Sequence, residues 1–581
     1  MKTRPEKPAG ADSFRVLFRT IGRLRLPWVW IAAALALNLA LETLMLRLPD
    51  TTADLMSGQL SGAATAKAIL YYIVLGLLSF VMVAGQVQAQ TYGIRRARQS
   101  LWNKMLGMRM SYFDRNDPSD QMSAIINDAG SAVNDLVNVI IYLIPSVYYV
   151  VMALRRIGSY HWLLAVSCFA VLPLKYLYAL VMGRQMQKGT AKVYGRIGVL
   201  TGFLADRINH LPLIKAYTNE KAEIRAGEET ARGLRKAQMK LVFLDNVASA
   251  AVTVMDILQK FIVIVLAVVL LQRGEIELSM WVAFFLFAQN LFPNMDQVFD
   301  TWVRFKGIHG SFRRVCEIMD GEDEEPAALA FPETGDIRFD HVTFTYPDTD
   351  APALADVSFT VPRGGAVAIV GLCGSGKTTS ISLLERFYLP DEGHIFIGDT
   401  DVREIALGDF RRRIAYVQQG ADVFGGTLRE ALTYGIGREV TDEEILAAAE
   451  KTGFAEYLAQ IGNDLDAEVA PGGDSMSGGQ SQRLVLTREL LRGGDIVLMD
   501  EPTSALDVRV SARIQDTMDT VFADKTRILI THDLALARRY GRILVMDGGR
   551  LCGDGSHEEL LEHCGTYRRM NEEAEEEEGN V

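Results

Sequence analysis

Nine consecutive residues, Gly371-Leu-Cys-Gly374-Ser375-Gly376-Lys377-Thr378-Thr379, combine glycines, a lysine and hydroxyls between the apolar run Ala366-Val-Ala-Ile-Val370 and the segment Ser380-Ile-Ser-Leu-Leu384. The order reads as buried strand, glycine-rich turn and helix start. That is the arrangement a triphosphate needs: backbone N–H groups close around the phosphates, and the helix N-terminus adds partial positive charge. Lys377 is expected to reach the β and γ phosphates, and Thr378 to ligate Mg²⁺.

Two further constellations fit the same chemistry. Ile496-Val-Leu-Met-Asp500-Glu501 reads as a buried strand ending in two carboxylates. Aimed at the phosphate site, it would put Asp500 on the Mg²⁺ shell and Glu501 beside an attacking water. Ser477-Gly478-Gly479-Gln480 opens a helix over Ser481 to Leu491, a second glycine-rich helix start and so a second anion site. One nucleotide does not need two such sites, so the second is expected to face a nucleotide held by another subunit. Read alone, it is equally a plain helix cap.

These residues need elements to hold them, and 581 residues are too many for one core. Long apolar runs crowd the chain before about residue 300, and charged, turn-rich sequence follows: a membrane part, then a soluble part. The net charge of −12 argues against a nucleic-acid partner. Five scattered cysteines lack metal-type spacing, and Cys373 lies inside the phosphate loop, which fits a reduced compartment.

The runs are Trp28 to Leu46, Ala68 to Gly85, Leu136 to Leu154, Trp162 to Met182, Val247 to Leu271 and Leu278 to Phe299. Each approaches the roughly 20 residues that span a bilayer as helix. The two long gaps, Gln86 to Asp135 and Gly183 to Asn246, are rich in Lys and Arg, which places them and both termini on the cytoplasmic side. Arg155 and Arg156, in a short outer loop, vote the other way. Each long gap reads as two membrane helices extended into the cytoplasm and joined by a turn element, at Ser111 to Asp120 and at Ile208 to Tyr217. Phe14 to Leu26 carries four arginines among apolar residues and suits a helix on the membrane surface. No removable signal peptide is read at the start.

Lys175, Asp256 and Asp296 fall inside apolar runs and each requires a partner or a water-filled cavity. Lys175 could pair with Asp256, or Asp256 with Lys260, leaving Lys175 to face the cavity. Asp296 and Asp300 share a face beyond Pro293, an expected kink, and that face is expected to line a pathway.

With phosphate loop, Met476-Ser-Gly-Gly-Gln480, Asp500-Glu501, Ser504-Ala-Leu-Asp507 and Thr531-His532-Asp533 in this order, the chain resembles the ATP-binding cassette (ABC) transporters, specifically the exporter-type half-transporters. The resemblance implies a membrane α-helical domain, six transmembrane helices with long cytoplasmic extensions, followed by an α/β P-loop ABC ATPase domain. The expected boundaries are 1–26 for the N-terminal segment, 27–319 for the membrane domain, 320–335 for a linker, 336–570 for the nucleotide domain and 571–581 for an acidic disordered tail.

It also implies ATP and Mg²⁺ as cofactors and a role for each matching residue. Gly371, Gly374, Ser375, Gly376, Lys377, Thr378 and Thr379 bind nucleotide, and Tyr346 stacks on adenine. Ser477, Gly478, Gly479, Gln480 and Asp507 serve the partner's nucleotide. Thr378, Gln419 and Asp500 hold the metal, with Glu501, His532 and Gln419 catalytic. The turns around Phe113 and Leu213 correspond to coupling helices.

The chain departs from the family at Met476 for leucine, Gln418 for proline, and Val469-Ala-Pro-Gly-Gly473 for a glycine-glutamate pair. The last departure tilts the expected second half-transporter from homodimer toward heterodimer. The implied function is ATP-driven export by alternating access of an amphipathic small molecule, lipid or peptide, in a bacterial plasma membrane with the nucleotide domain cytoplasmic. An importer of a metal chelate or siderophore on the same fold, and a membrane ATPase with a regulatory or channel role, stand as alternatives.

Overall fold

The computed structural model describes residues 19–49, 52, 62–347, 349–418, 420, 422–473, 476–503, 506 and 508–579. The chain forms two compact units, Met1–Asn103 with Met122–Asp320, and Lys104–Gln121 with Gly321–Val581.

The first unit is helical, as lipid demands: with no water to satisfy backbone groups, an apolar chain must bond within its own helix. Among the described residues, five helical segments are long and apolar enough to cross a membrane by length and composition: Trp28–Met45, Thr65–Leu106, Asp120–Tyr160, Trp162–Asn209 and Glu220–Gln272. The sixth apolar run lies in the helix Leu278–Met319, unbroken through Pro293. Its polar Gln289, Asn290 and Asn294 dilute it, so the expected count of six does not follow from length and apolarity. Large apolar side chains such as Val29 and Phe80 point outward, at 82% and 75% exposure. Between the helices a core gathers Tyr149, Ile157, Phe284, Phe287 and Leu291. Of the expected surface helix at Phe14 to Leu26, positions 14–18 lie outside the described residues. The rest buries Ile21, Leu24 and Leu26, and Arg23 pairs with Asp320 at 3.0 Å.

The fourth run is interrupted. One helix ends at Ser167, and the next, Leu172–Asn209, begins with proline in its first turn, where no N–H is needed. The buried Gln259 amide satisfies the break by donating to the Ser167 carbonyl at 2.8 Å and accepting from the Val171 N–H at 3.0 Å. Leu172–Asn209 and Glu220–Gln272 are the long extended pair foreseen from the second gap, with the short helix Leu211–Ala216 between them. Lys175 does not choose one partner: its Nζ lies 2.5 Å from Asp256 and 2.8 Å from Asp296.

Among the described residues the second unit holds twelve strands: β1 (Ile337–Phe344), β2 (Leu354–Val361), β3 (Ala366–Gly371), β4 (Glu392–Ile397), β5 (Thr400–Asp401), β6 (Ile414–Val417), β7 (Gly426–Thr427), β8 (Glu468–Val469), β9 (Ile496–Asp500), β10 (Thr526–Ile530), β11 (Ile543–Asp547) and β12 (Arg550–Gly555). A six-stranded sheet runs β12-β11-β3-β10-β9-β6, parallel except at β12, and a four-stranded antiparallel sheet runs β2-β1-β4-β5. The fully buried β9 reads as a continuous apolar run, as a central parallel strand must. Register aligns Ile530 of β10 with Ile369 of β3 on one side and Asp500 of β9 on the other, so three strands end at one edge. Ligands of open α/β sheets bind outside that carboxyl edge.

Two of the expected boundary segments carry structure of their own. The acidic end is not disordered through the described residues, because the helix Gly565–Gly579 continues across it. Buried Asn571 anchors that helix, accepting from Arg538 at 2.5 Å and donating to Glu575 at 2.8 Å. The linker is held in place as well. Glu324 donates its N–H to the Gly107 carbonyl at 2.9 Å, its carboxylate takes Arg411 at 2.8 and 3.2 Å, and Arg109 pairs with Glu322 and Glu325. The first turn element, within Lys104–Gln121, thus belongs to the second unit.

Candidate functional site

The phosphate loop leaves β3 at Gly371, where a Cβ would stand 2.2 Å from the Met546 carbonyl of β11. Gly376, at φ 99°, immediately precedes the helix Lys377–Leu384, and a Cβ there would meet the Ala353 carbonyl at 2.6 Å. Both positions therefore exclude any side chain. Gly374 has φ 77° and open space around it. Ser375 is buried, and its Oγ has no hydrogen-bond partner among the described residues. Such an orphan is costly unless a ligand supplies its partner. Lys377 lies over the loop, donating from Nζ to the carbonyls of Gly371 at 2.8 Å and Leu372 at 3.0 Å.

Asp500, at the end of β9, is buried beside Thr378, which hydrogen-bonds its carboxylate. Burial holds the Asp500 carboxyl above the usual range, while Thr378 and Lys377 pull it down and Glu501 pushes it up. A buried carboxylate beside a hydroxyl is a hard-oxygen pair of the kind Mg²⁺ takes. Glu501 follows with φ 45°, left-handed for a glutamate, and its N–H is held by the Ile530 carbonyl at 3.0 Å. That conformation costs about 1–3 kcal/mol and concentrates at functional sites. It turns the carboxylate to within 3.5 Å of Nδ1 of His532, which lies two residues past the end of β10.

Tyr346 reaches the same place from β1. Its hydroxyl is 3.3 Å from Thr379 Oγ1, and its ring meets Phe344 and Tyr388 edge-on at 5.0 and 5.2 Å. The structure therefore brings together the phosphate loop, Tyr346, Asp500, Glu501 and His532.

Ser477 and Gln480 instead cap the helix Gly478–Arg492 reciprocally: Ser477 Oγ accepts from the Gln480 N–H at 3.4 Å, and Gln480 Oε1 from the Ser477 N–H at 2.8 Å. A Cβ on Gly478 or Gly479 would meet Leu506 at 3.1 Å or Val510 at 2.8 Å. Gln419 and Asp507 lie outside the described residues. Sequence reasoning missed Tyr388, whose hydroxyl donates to Asp114 Oδ2 at 2.7 Å. The available signal was the aromatic pair Phe387-Tyr388 just past the loop helix, but nothing local ties it to a residue 274 positions away.

Fold and site together define a P-loop ATPase fused to a helical membrane domain. The chain belongs to the ABC transporters, as a half-transporter of the exporter type: the ABC transporter family model matches residues 354–504, and the ABC transporter transmembrane region matches 29–295. It is 26% identical over 575 residues to the ATP-dependent lipid A-core flippase of Mannheimia succiniciproducens, covering 97% of each chain. It is 26% identical over 571 residues to the flippase of the same name from Escherichia coli (strain K12), covering 96% of this chain and 97% of that one. A solved bacterial Atm1-family ABC exporter with ATP bound shares the fold, with a TM-score of 0.78 and 23% identity over 97% of this chain and 99% of that one. The chain binds ATP, and its hydrolysis drives export across the membrane in which this multi-pass protein sits.

Proposed function

We propose that the protein moves an amphipathic, lipid-like molecule out of the cytoplasmic leaflet of a bacterial inner membrane, with its nucleotide domain in the cytoplasm. What supports this is coverage: likeness to proteins named lipid A-core flippases runs over 97% of the chain, membrane helices included. The importer and channel readings have no comparable support.

In this reading Lys377 leaves the loop carbonyls to face the β and γ phosphates, and Ser375 finds its partner there. Gly371, Gly374, Gly376 and Thr379 shape the cradle, and Tyr346 lies against adenine. Thr378, Asp500 and Gln419 would hold Mg²⁺, which when bound offsets the phosphates' charge. Glu501, held by strained backbone and steadied by His532, orients or deprotonates the attacking water. Ser477, Gly478, Gly479, Gln480 and Asp507 face the nucleotide of the second half. The membrane domain then alternates its access as the pair closes and reopens.

With every element of one site present in this chain, two copies suffice for two working sites. Val469–Gly473 is the one ground for a different partner, and its Gly472 and Gly473, both at φ 75°, donate their N–H groups to the Val423 and Ala470 carbonyls at 2.8 and 3.0 Å. The test is reconstitution of the purified single chain into liposomes with a fluorescent lipid. ATP-dependent movement of the lipid toward the face away from the ATPase domain is expected. ATP hydrolysis without any lipid or amphiphile movement would overturn the reading.

A further inference from the structure

Between the cytoplasmic extensions of Leu172–Asn209 and Glu220–Gln272 lies a cleft of about 1100 Å³. One wall carries Lys188, Lys192 and Arg196, spaced four apart and so on one helical face. The opposite wall carries Arg225, Arg232, Lys236 and Lys240, again one face. Glu228 and Glu229 are the acids that line it. Register follows from two close approaches: a Cβ on Gly189 would meet Leu241 at 2.9 Å, and one on Gly233 would meet Arg196 at 3.6 Å. The two basic stripes therefore oppose each other along an antiparallel pair.

Among the described residues, the one ion pair these seven cations make within 4 Å is Arg232 with Glu228, at 3.9 Å. Like charges one turn apart repel along each helix, and the facing stripe adds to that repulsion. A solvated surface relieves such repulsion by spreading its charges, whereas here they converge on one cavity.

The cleft is graded along its length. It begins at Gln185 on one helix and Leu244 on the other, each within three residues of an apolar run, at Met182 and Val247. That end is lined by Leu241 and Leu244 together with Lys188 and Lys240, and the far end by Arg196 and Arg225. Leucines beside lysines at the membrane border match an acyl chain next to a phosphate, and the basic walls continue away from the membrane.

We propose that this cleft binds the phosphorylated headgroup of a lipid in the cytoplasmic leaflet. The proposal rests on the lipid-export reading and narrows its substrate to anionic, phosphate-bearing lipids captured before transport.

The test is equilibrium binding to the purified full-length transporter without nucleotide, so that it is independent of ATP turnover. The probes are phosphatidic acid, phosphatidylcholine and inorganic pyrophosphate. Wild type is expected to prefer phosphatidic acid to phosphatidylcholine at least 10-fold, with a preference that falls as salt rises. Lys188→Gln/Lys192→Gln/Lys236→Gln should cut phosphatidic acid affinity on the order of 100-fold, from roughly fivefold per cation near a charged lipid. The Arg triple at the same positions should restore it. Equal binding of both lipids by wild type, or an unaffected Gln triple, would overturn the proposal. Pyrophosphate binding as tightly as phosphatidic acid would also overturn it, by showing a soluble-anion site. If lipid transport persists while binding discrimination is absent, the cleft assignment fails and the export reading stands.

Discussion

Tyr388 joins Asp114 across 2.7 Å, and the Tyr388 ring lies edge-on to Tyr346 at 5.2 Å. The short helix Met110–Arg115 is thereby linked through one phenol to the aromatic expected at the adenine. Burial first, then the hydrogen bond to Asp114, drives the Tyr388 hydroxyl well above the usual tyrosine range, so it remains a donor at every physiological pH. Tyr388→Phe keeps the ring and removes the donor, leaving a carboxylate short of a bond worth about 1.5–3 kcal/mol. Basal ATP hydrolysis should persist while its stimulation by transported lipid falls several-fold. Equal stimulation in the two proteins would show that this hydrogen bond carries no signal.

Glu501→Gln retains shape and loses the base. ATP should still bind, and turnover should drop by about 10²–10⁴-fold, the usual share of a general base. Wild-type phosphate release from a dimer carrying the change on every chain would remove Glu501 from the chemistry.

Lys377→Ala takes away the ammonium now held by the Gly371 and Leu372 carbonyls. Loss of a charge-assisted contact to phosphate should weaken ATP binding about 10- to 100-fold. The check is direct titration with a fluorescent ATP analogue, and an unchanged affinity would contradict the phosphate-loop assignment.

Glu385, fully buried at the end of the loop helix, gives the nucleotide domain a pH dependence. Burial raises its carboxyl to about 7, with Arg492 and Arg411 opposing and Glu489 assisting. The folded state therefore holds the proton more tightly than the unfolded chain. Its contribution is fully present below the unfolded value near 4.5 and is lost as pH rises through 7. The loss amounts to ~3 kcal/mol. Glu385→Gln should leave thermal stability at pH 5 nearly unchanged and raise it at pH 8. A melting temperature with the same pH slope in both proteins would exclude Glu385 as the source.

Lys175 shared between Asp256 and Asp296 predicts an asymmetry. Lys175→Met leaves two facing carboxylates without their cation, whereas Asp296→Asn leaves the Lys175–Asp256 pair intact. The first should cost about 2 kcal/mol or more, short of the ~3–5 for a fully buried pair because the carboxylates are partly exposed. The second should cost less than half as much. Detergent melting curves decide, and equal losses would mean that Lys175 serves one acid alone.

What the sequence determined by itself is what contiguous residues can specify. Gly371 to Thr379, Asp500-Glu501 and the Ser477/Gln480 cap are each built within a few residues, so their local geometry follows from glycine freedom, strand burial and helix capping. Five of the six membrane runs were legible for a similar reason, since hydrocarbon thickness sets a length that apolar sequence must match. The tertiary structure decided what depends on distant partners. Asp114 finds Tyr388, Lys175 takes two acids from two helices, and Asn571 and Arg538 turn an acidic end into an anchored helix. The basic residues of the second long gap read as membrane-side charge until two antiparallel helices set their stripes face to face. Pairwise energies of this kind depend on separation in space, and a one-dimensional pattern does not encode which of several possible partners comes within 4 Å.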